Sequence, residues 1–184
     1  MKIGLLIDDK NLPEVHSELC SWIYKNKKLS IDLLIIGNKK KIKKKKYSFI
    51  RKIEKILFKL LFFLEKFLYK FDRKLNFINF NLNNYKFNEM YVDPEISKNG
   101  IFFSYKHTDI EKIKSKNLDL IIRMGSGVLK GEVLSCSKFG IISFHHGDND
   151  FYRGDPPGFW EVYSKNPVTG FIIQKLNETI DGGD

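Results

Sequence analysis

Apolar residues recur along this chain with two different spacings. Lys2-Ile-Gly-Leu-Leu-Ile7 is a short apolar run stopped by Asp8 and Asp9, and predicts a first buried strand. From about Leu12 to Tyr24 the spacing changes. Val15, Leu19, Trp22 and Ile23 fall on one helical face, with Pro13 near its start. Ile31-Asp-Leu-Leu-Ile-Ile36 reads as a second strand, closed by Gly37-Asn38. Strand, helix, strand opens a parallel sheet. Further on, the pattern predicts a helix over Thr108 to Asn117, a strand over Leu118 to Ile122, a helix over Val128 to Ser137 and a strand over Gly140 to Phe144. A short helix over Gly158 to Ser164 and a buried strand over Phe171 to Leu176 follow. The Asn- and Phe-rich stretch from Phe77 to Met90 fits neither period, and there is no internal repeat. The class expected is α/β with a mostly parallel sheet.

The segment between about residues 39 and 75 departs from this plan. Lys39 to Lys46 holds seven lysines in eight residues, a block that repels itself and favours solvent. After it, Ile53, Leu57, Leu60, Leu64, Phe67, Leu68 and Phe71 share a helical face, with Lys52, Lys55, Lys59, Lys66 and Lys70 opposite. Phe58, Phe62 and Phe63 widen the apolar arc. The longest unbroken apolar run, Leu60 to Leu64, is five residues and too short to span a bilayer. The expectation is an inserted basic amphipathic helix. Its composition suits an anionic membrane surface, with nucleic acid or a protein surface as alternatives.

Charge sharpens that division. The net charge is +10, but Lys39 to Lys74 carries fifteen Lys or Arg against three acids and so contributes +12. The remainder is slightly acidic, at −2. The 184 residues suffice for one domain, 1–184, with a sizeable core. The amino-terminal run lacks the pattern of a signal peptide, and Cys20 and Cys136 have neither metal spacing nor disulfide density. Both features point to a reducing, cytoplasmic location, with the lysine-rich helix allowing a peripheral place on the inner membrane face.

Chemistry concentrates in Ser143-Phe-His-His-Gly-Asp-Asn-Asp-Phe-Tyr-Arg-Gly154, at the exit of the strand beginning near Gly140. Ionisable groups at a strand exit are where α/β enzymes place catalysis. Thr169-Gly then precedes the last strand, and Asp181-Gly-Gly-Asp184 closes the chain. Met124-Gly-Ser-Gly-Val-Leu129 follows a strand and, on this reading, opens a helix, so its backbone amides offer an anion site. It is neither of the standard glycine-rich nucleotide motifs.

The order of His, Arg-Gly, Pro, a short helix with Trp160, Thr-Gly, strand and Asp-x-Gly-Asp resembles the folate-dependent formyltransferase family. That resemblance implies a Rossmann-like sheet with helices on both faces, and transfer of a formyl group from 10-formyltetrahydrofolate to a primary amine. It is specific from about Leu118 to Asp184. By position it implies that His145 is the catalytic histidine and Asp181 the catalytic aspartate. Met124, Gly125, Ser126, Gly127 and Val128 then line the folate pocket, largely through backbone groups. His146, Asp148, Asn149 and Arg153 are candidates for acceptor binding. The family's catalytic asparagine, two residues before the histidine, is replaced by Ser143, whose hydroxyl offers one donor where a carboxamide offers two. The family continues past its Asp-x-Gly-Asp loop, so the carboxyl end of this domain looks truncated.

The acceptor expected is a small-molecule amine, most naturally an amino sugar on a nucleotide or lipid carrier. Initiator tRNA is the alternative, as in a methionyl-tRNA formyltransferase-like enzyme. A non-catalytic membrane- or partner-binding relative is a further class. Metal-dependent hydrolysis is a poor fit, because the adjacent His145 and His146 project to opposite sides of a strand, and no metal is expected.

Overall fold

The computed structural model describes residues 1–8, 10–37, 49–68, 77–79, 87–147, 151–152 and 158–179. In chain order the elements are β1 (Lys2–Ile7), β2 (Asn11–Pro13), α1 (Glu14–Lys25), β3 (Ser30–Gly37), α2 (Phe49–Leu68), β4 (Phe77–Asn79), β5 (Asn88–Val92) and β6 (Pro94–Ile96). They continue with β7 (Phe102–Tyr105), α3 (His107–Lys114), β8 (Leu120–Met124), β9 (Val128–Leu129), β10 (Ile141–His146), α4 (Phe159–Tyr163) and β11 (Phe171–Lys175). A 3-10 turn, Glu132–Ser135, lies between β9 and β10.

The central sheet has six strands in the order β11-β10-β8-β1-β3-β5. All neighbours run parallel except β11, which closes one edge antiparallel to β10. From β1 the chain first builds outward through β3 and β5, then returns to add β8 and β10 on the other side. The reversal falls between β1 and β8. In open α/β sheets the crevice at such a reversal, outside the carboxyl ends of the strands, is where ligands bind.

Alternation along the strands divides the core into two layers. On one face Leu6, Leu33, Ile35, Val92, Ile121 and Ile141 pack with Ile110 and Ile113 of α3. On the other, Ile3, Leu5, Ile7, Leu34, Ile36, Ile122 and Met124 pack with Cys20 and Ile23 of α1. Strands buried on both faces explain the continuous apolar runs of the sequence. Each large side chain buried this way contributes about 1.5–3 kcal/mol.

Three sequence expectations change. The first helix begins at Glu14, because Asn11–Pro13 pairs antiparallel with Phe77–Asn79. The helix expected over Val128 to Ser137 is absent. Val128–Leu129 pairs parallel with Phe102–Phe103, the Val128 and Lys130 amides donate to the Ile101 and Phe103 carbonyls at 2.9 Å, and only the 3-10 turn follows. Strand pairing buries Leu129 and uses the amides a helix start would have left open. In the stretch from Phe77 to Met90, which fitted neither period, β4 and the start of β5 form, and β6 and β7 follow, up to Tyr105, where no element was expected.

Within the basic segment, α2 is a 20-residue helix. Its Ile56, Leu57, Phe58, Leu60, Leu61, Phe63, Phe67 and Leu68 are exposed. The lysine block from Lys39 to Lys46 and residues 69–76 lie outside the described residues. No helix among the described residues is long and apolar enough to cross a membrane.

Candidate active site

The α3-side face of the sheet is apolar until it nears the carboxyl ends of its strands, where it turns polar. Two residues beyond Leu6 comes Asp8, two beyond Ile121 comes Arg123, and two and four beyond Ile141 come Ser143 and His145. The period of two puts all four on the same face as those core residues. Arg123 lies between β1 and β10, in register with Leu6 on one side and Ser143 on the other.

His145 is half-buried and its Nε2 is shielded from solvent. Its cross-strand neighbour is Ile172 of β11. His146, with Phe144, occupies the opposite and exposed face of β10, as the pleat requires for adjacent residues. The Ser143 hydroxyl donates to the Arg123 carbonyl at 3.4 Å and to the Phe144 carbonyl at 3.3 Å. Both distances are long for a hydroxyl donor, whose usual range ends near about 3.0 Å, so the group is weakly held and can turn to a better acceptor.

Gly147 ends β10 with φ of +101° and donates its amide to the Gly170 carbonyl at 2.8 Å. A Cβ here would stand 2.3 Å from the Tyr152 carbonyl oxygen. Only glycine folds the chain back tightly enough after the two histidines. Behind this turn the buried Glu161 of α4 accepts a hydrogen bond from the Thr169 hydroxyl at 2.9 Å, tying α4 to the approach of β11.

The turn after β8 sits beside β10, because β8 and β10 pair up to Arg123 and Ser143. Met124 is buried, Gly125, Ser126 and Gly127 are exposed, and Val128 is half-buried. The helix start expected here is missing. The Ser126 amide is bonded to the Asp8 carboxylate and the Val128 amide to Ile101, so these amides are spent on protein partners. The anion-binding expectation for this turn is therefore corrected. What the turn offers is an exposed backbone edge at the crevice between β1 and β8.

The ion pair of Asp8 and Arg123 is the part of the site that the sequence pattern did not single out. Arg123 is 3% exposed and its Nη2 donates to Asp8 Oδ1 at 2.6 Å. The same nitrogen donates to the Ser126 carbonyl at 2.7 Å, and Nη1 to the Leu6 carbonyl at 3.4 Å. The second Asp8 oxygen accepts from the Ser126 amide at 2.7 Å and its hydroxyl at 3.0 Å. Nearby, burial pushes the Tyr105 phenol above its ordinary range, with Arg123 opposing and Asp8 adding to the shift. A signal existed: Arg123 interrupts the apolar run Leu-Ile-Ile-Arg-Met, and a cation inside a parallel strand needs a partner.

The structure thus brings Ser143, His145 and the Met124–Val128 turn to one corner of the sheet. Asp181, Asp148, Asn149 and Arg153 lie outside the described residues. Among the described residues no cluster of three or more metal-ligating side chains occurs.

Comparison with known proteins bears on this corner. No family model matches the chain. The chain is 36% identical over 83 residues to a methionyl-tRNA formyltransferase of Ehrlichia canis (strain Jake), covering 44% of this chain and 27% of the relative. It is 36% identical over 92 residues to a methionyl-tRNA formyltransferase of Prochlorococcus marinus (strain MIT 9312), covering 50% of this chain and 26% of the relative. The matched region therefore spans about a quarter of the length of these curated relatives. Among solved structures, glycinamide ribonucleotide transformylase 1 from Symbiobacterium toebii superposes on the whole chain and 69% of its own, with a TM-score of 0.58 at 12% identity. That likeness concerns the fold.

Proposed function

We propose that this chain, a divergent relative of the formyltransferases, moves a formyl group from 10-formyltetrahydrofolate to a primary amine. The observation that carries the reading is the corner itself. Ser143 and His145 share a face of β10 at its carboxyl edge, next to the exposed turn after β8 and the strand-order reversal. The fold and the relatives support the same chemistry.

On this reading residues 1–184 form one formyltransferase-like domain with an insert at about 39–75. The acceptor amine attacks the formyl carbon of 10-formyltetrahydrofolate, the bond from that carbon to N10 breaks, and tetrahydrofolate leaves with N10 taking up a proton as the amine gives one up. His145 donates a hydrogen bond to the formyl oxygen as negative charge develops on it. The Ser143 hydroxyl, weakly bonded at rest, turns to the same oxygen and supplies part of the missing carboxamide's contribution. Asp181 orients His145 and, through a water, accepts the proton that the amine loses. The exposed edge of Gly125, Ser126 and Gly127 holds the donor, with Met124 and Val128 anchoring the turn. Asp148, Asn149 and Arg153 serve acceptor binding, and His146, on the opposite face of β10 from His145, has only a supporting role.

The acceptor proposed is an amino sugar on a nucleotide or lipid carrier, used at the inner face of a membrane. The specific observation behind the location is α2, whose apolar side chains are exposed while fifteen basic residues flank and line its segment. Initiator tRNA is the second reading, favoured by the relatives' names and the lysine block. A panel assay decides between them: the chain, 10-formyltetrahydrofolate, and either amino-sugar nucleotides or initiator methionyl-tRNA. Formylation of a sugar amine alone supports the proposal, formylation of the tRNA alone moves the reading to the second, and inertness toward every amine rejects both.

A further inference from the structure

We infer that Asp8 and Arg123 are a positioning pair that shapes the formyl-donor side of the site, an inference that rests on the formyl-transfer reading. Three observations support it. The pair stands where the strand order reverses, at the carboxyl ends of β1 and β8, the place where an open α/β sheet receives its ligand. Apart from the 3.4 Å bond of Nη1 to the Leu6 carbonyl, its bonds go to the turn. The Ser126 amide, hydroxyl and carbonyl are all engaged by Asp8 or Arg123, which fixes the orientation of the peptide groups on either side of that residue. Gly125 fits the pair closely, since a Cβ there would lie 2.6 Å from Arg123 Cζ and 2.7 Å from Asp8 Cγ.

A purely structural ion pair explains these facts less well. A buried pair gains little over apolar packing, because removing both charges from water is costly. Arg123 also holds a donor in reserve. Its Nε is shielded from solvent and bonded to no protein atom among the described residues. Ser143, the residue in the family's asparagine position, is the cross-strand neighbour of Arg123 and is bonded to its carbonyl. Arg123 thus grips the donor turn with its side chain and accepts from the catalytic strand with its backbone carbonyl. Shifting the guanidinium moves the backbone edge against which the folate lies.

The pair acts through the turn, so its loss should weaken donor binding more than it slows the chemical step. The test uses the full 184-residue chain and 5-formyltetrahydrofolate as an unreactive probe, titrated calorimetrically into wild type, Asp8→Asn, Arg123→Lys and Ser126→Ala. Circular dichroism and urea unfolding report whether each variant is folded. Asp8→Asn and Arg123→Lys should weaken the probe by about 10–100-fold, the range found when the supporting partners of metal ligands are removed. Lysine should fail as a substitute because one ammonium lacks the rigid fork whose Nη2 holds Asp8 and the Ser126 carbonyl while Nη1 reaches the Leu6 carbonyl. Ser126→Ala, on an exposed turn, should fold normally and weaken the probe several-fold. In turnover, KM for the donor should rise more than kcat falls. Should Asp8→Asn or Arg123→Lys fail to fold, Ser126→Ala decides. If the folded variants bind the probe as wild type does, the positioning role is wrong while the formyl-transfer reading stands. If wild type itself takes up no folate, both fall together.

Discussion

On the proposed reading Ser143 stands in for an asparagine, and its hydrogen bonds set an expectation. Bonds of 3.3–3.4 Å to two carbonyls cost little to break, so the hydroxyl is available to a developing oxyanion. Ser143→Ala should lower kcat by about 1 kcal/mol, roughly fivefold, with KM nearly unchanged. Ser143→Asn should match or exceed wild type, because the amide restores a second donor beside His145. Steady-state kinetics on the three proteins checks this, and equal kcat in wild type and Ser143→Ala removes the role. The two cysteines give a pH expectation. Burial raises the Cys20 thiol to about 12 and the Cys136 thiol to about 11, from an ordinary 9. A raised folded pKa favours the protonated form, so this stability is complete below about pH 9. It is lost as pH climbs from about 9 toward 12, where the unfolded chain ionises and the folded one does not. Urea midpoints should therefore fall over that window, and less steeply in Cys20→Ala when each is compared with its own value at about pH 8. The position of Ser143 and His145 on one face at the exit of β10 was legible in the sequence because a period of two sets it locally. The Asp8 to Arg123 bond joins residues 115 apart, and only the strand order brings them together.

Among the elements, the strands with strong apolar runs and the short α4 and β11 were read correctly, and the shortest strands were not. β1, β3, β8 and β10 each bury a strong pattern of their own. β6, β7 and β9 have two to four residues apiece and exist by pairing with one another, a tertiary fact invisible to local periodicity. The same cause removed the helix expected after the Met124–Val128 turn. Val128 and Leu129 had helical spacing, but pairing with β7 satisfied their backbone and buried Leu129. α2 was legible because amphipathicity over twenty residues is a strong signal. Its exposed apolar side chains lead to a prediction at this scale. Deleting residues 39–75 should leave a folded domain, since the buried core residues of both layers lie elsewhere. The deletion should abolish sedimentation with vesicles containing phosphatidylglycerol while sparing folate binding. Equal sedimentation of the two proteins would refute the membrane role, and salt-sensitive tRNA binding lost with the segment would favour the tRNA reading.

At the scale of the whole molecule, one sheet face serves two purposes. Its lower part is the apolar layer against α3, and its upper edge becomes Asp8, Arg123, Ser143 and His145 as the strands emerge. The proposed site lies at the carboxyl edge, while the basic charge lies in a separate segment, so on the proposed reading a polyanion and the acceptor amine meet different parts of the chain. This separation predicts that salt weakens membrane or polyanion binding strongly and formyl transfer to a small amine only slightly. The central claim is that the β10 corner transfers formyl groups with His145 as its polarising donor. Single-turnover release of tetrahydrofolate from 10-formyltetrahydrofolate, with an accepted amine and either wild type or His145→Ala, tests it most directly. The account predicts an amine-dependent release in wild type that falls at least about 100-fold in a folded His145→Ala. Equal rates in the two proteins would contradict it.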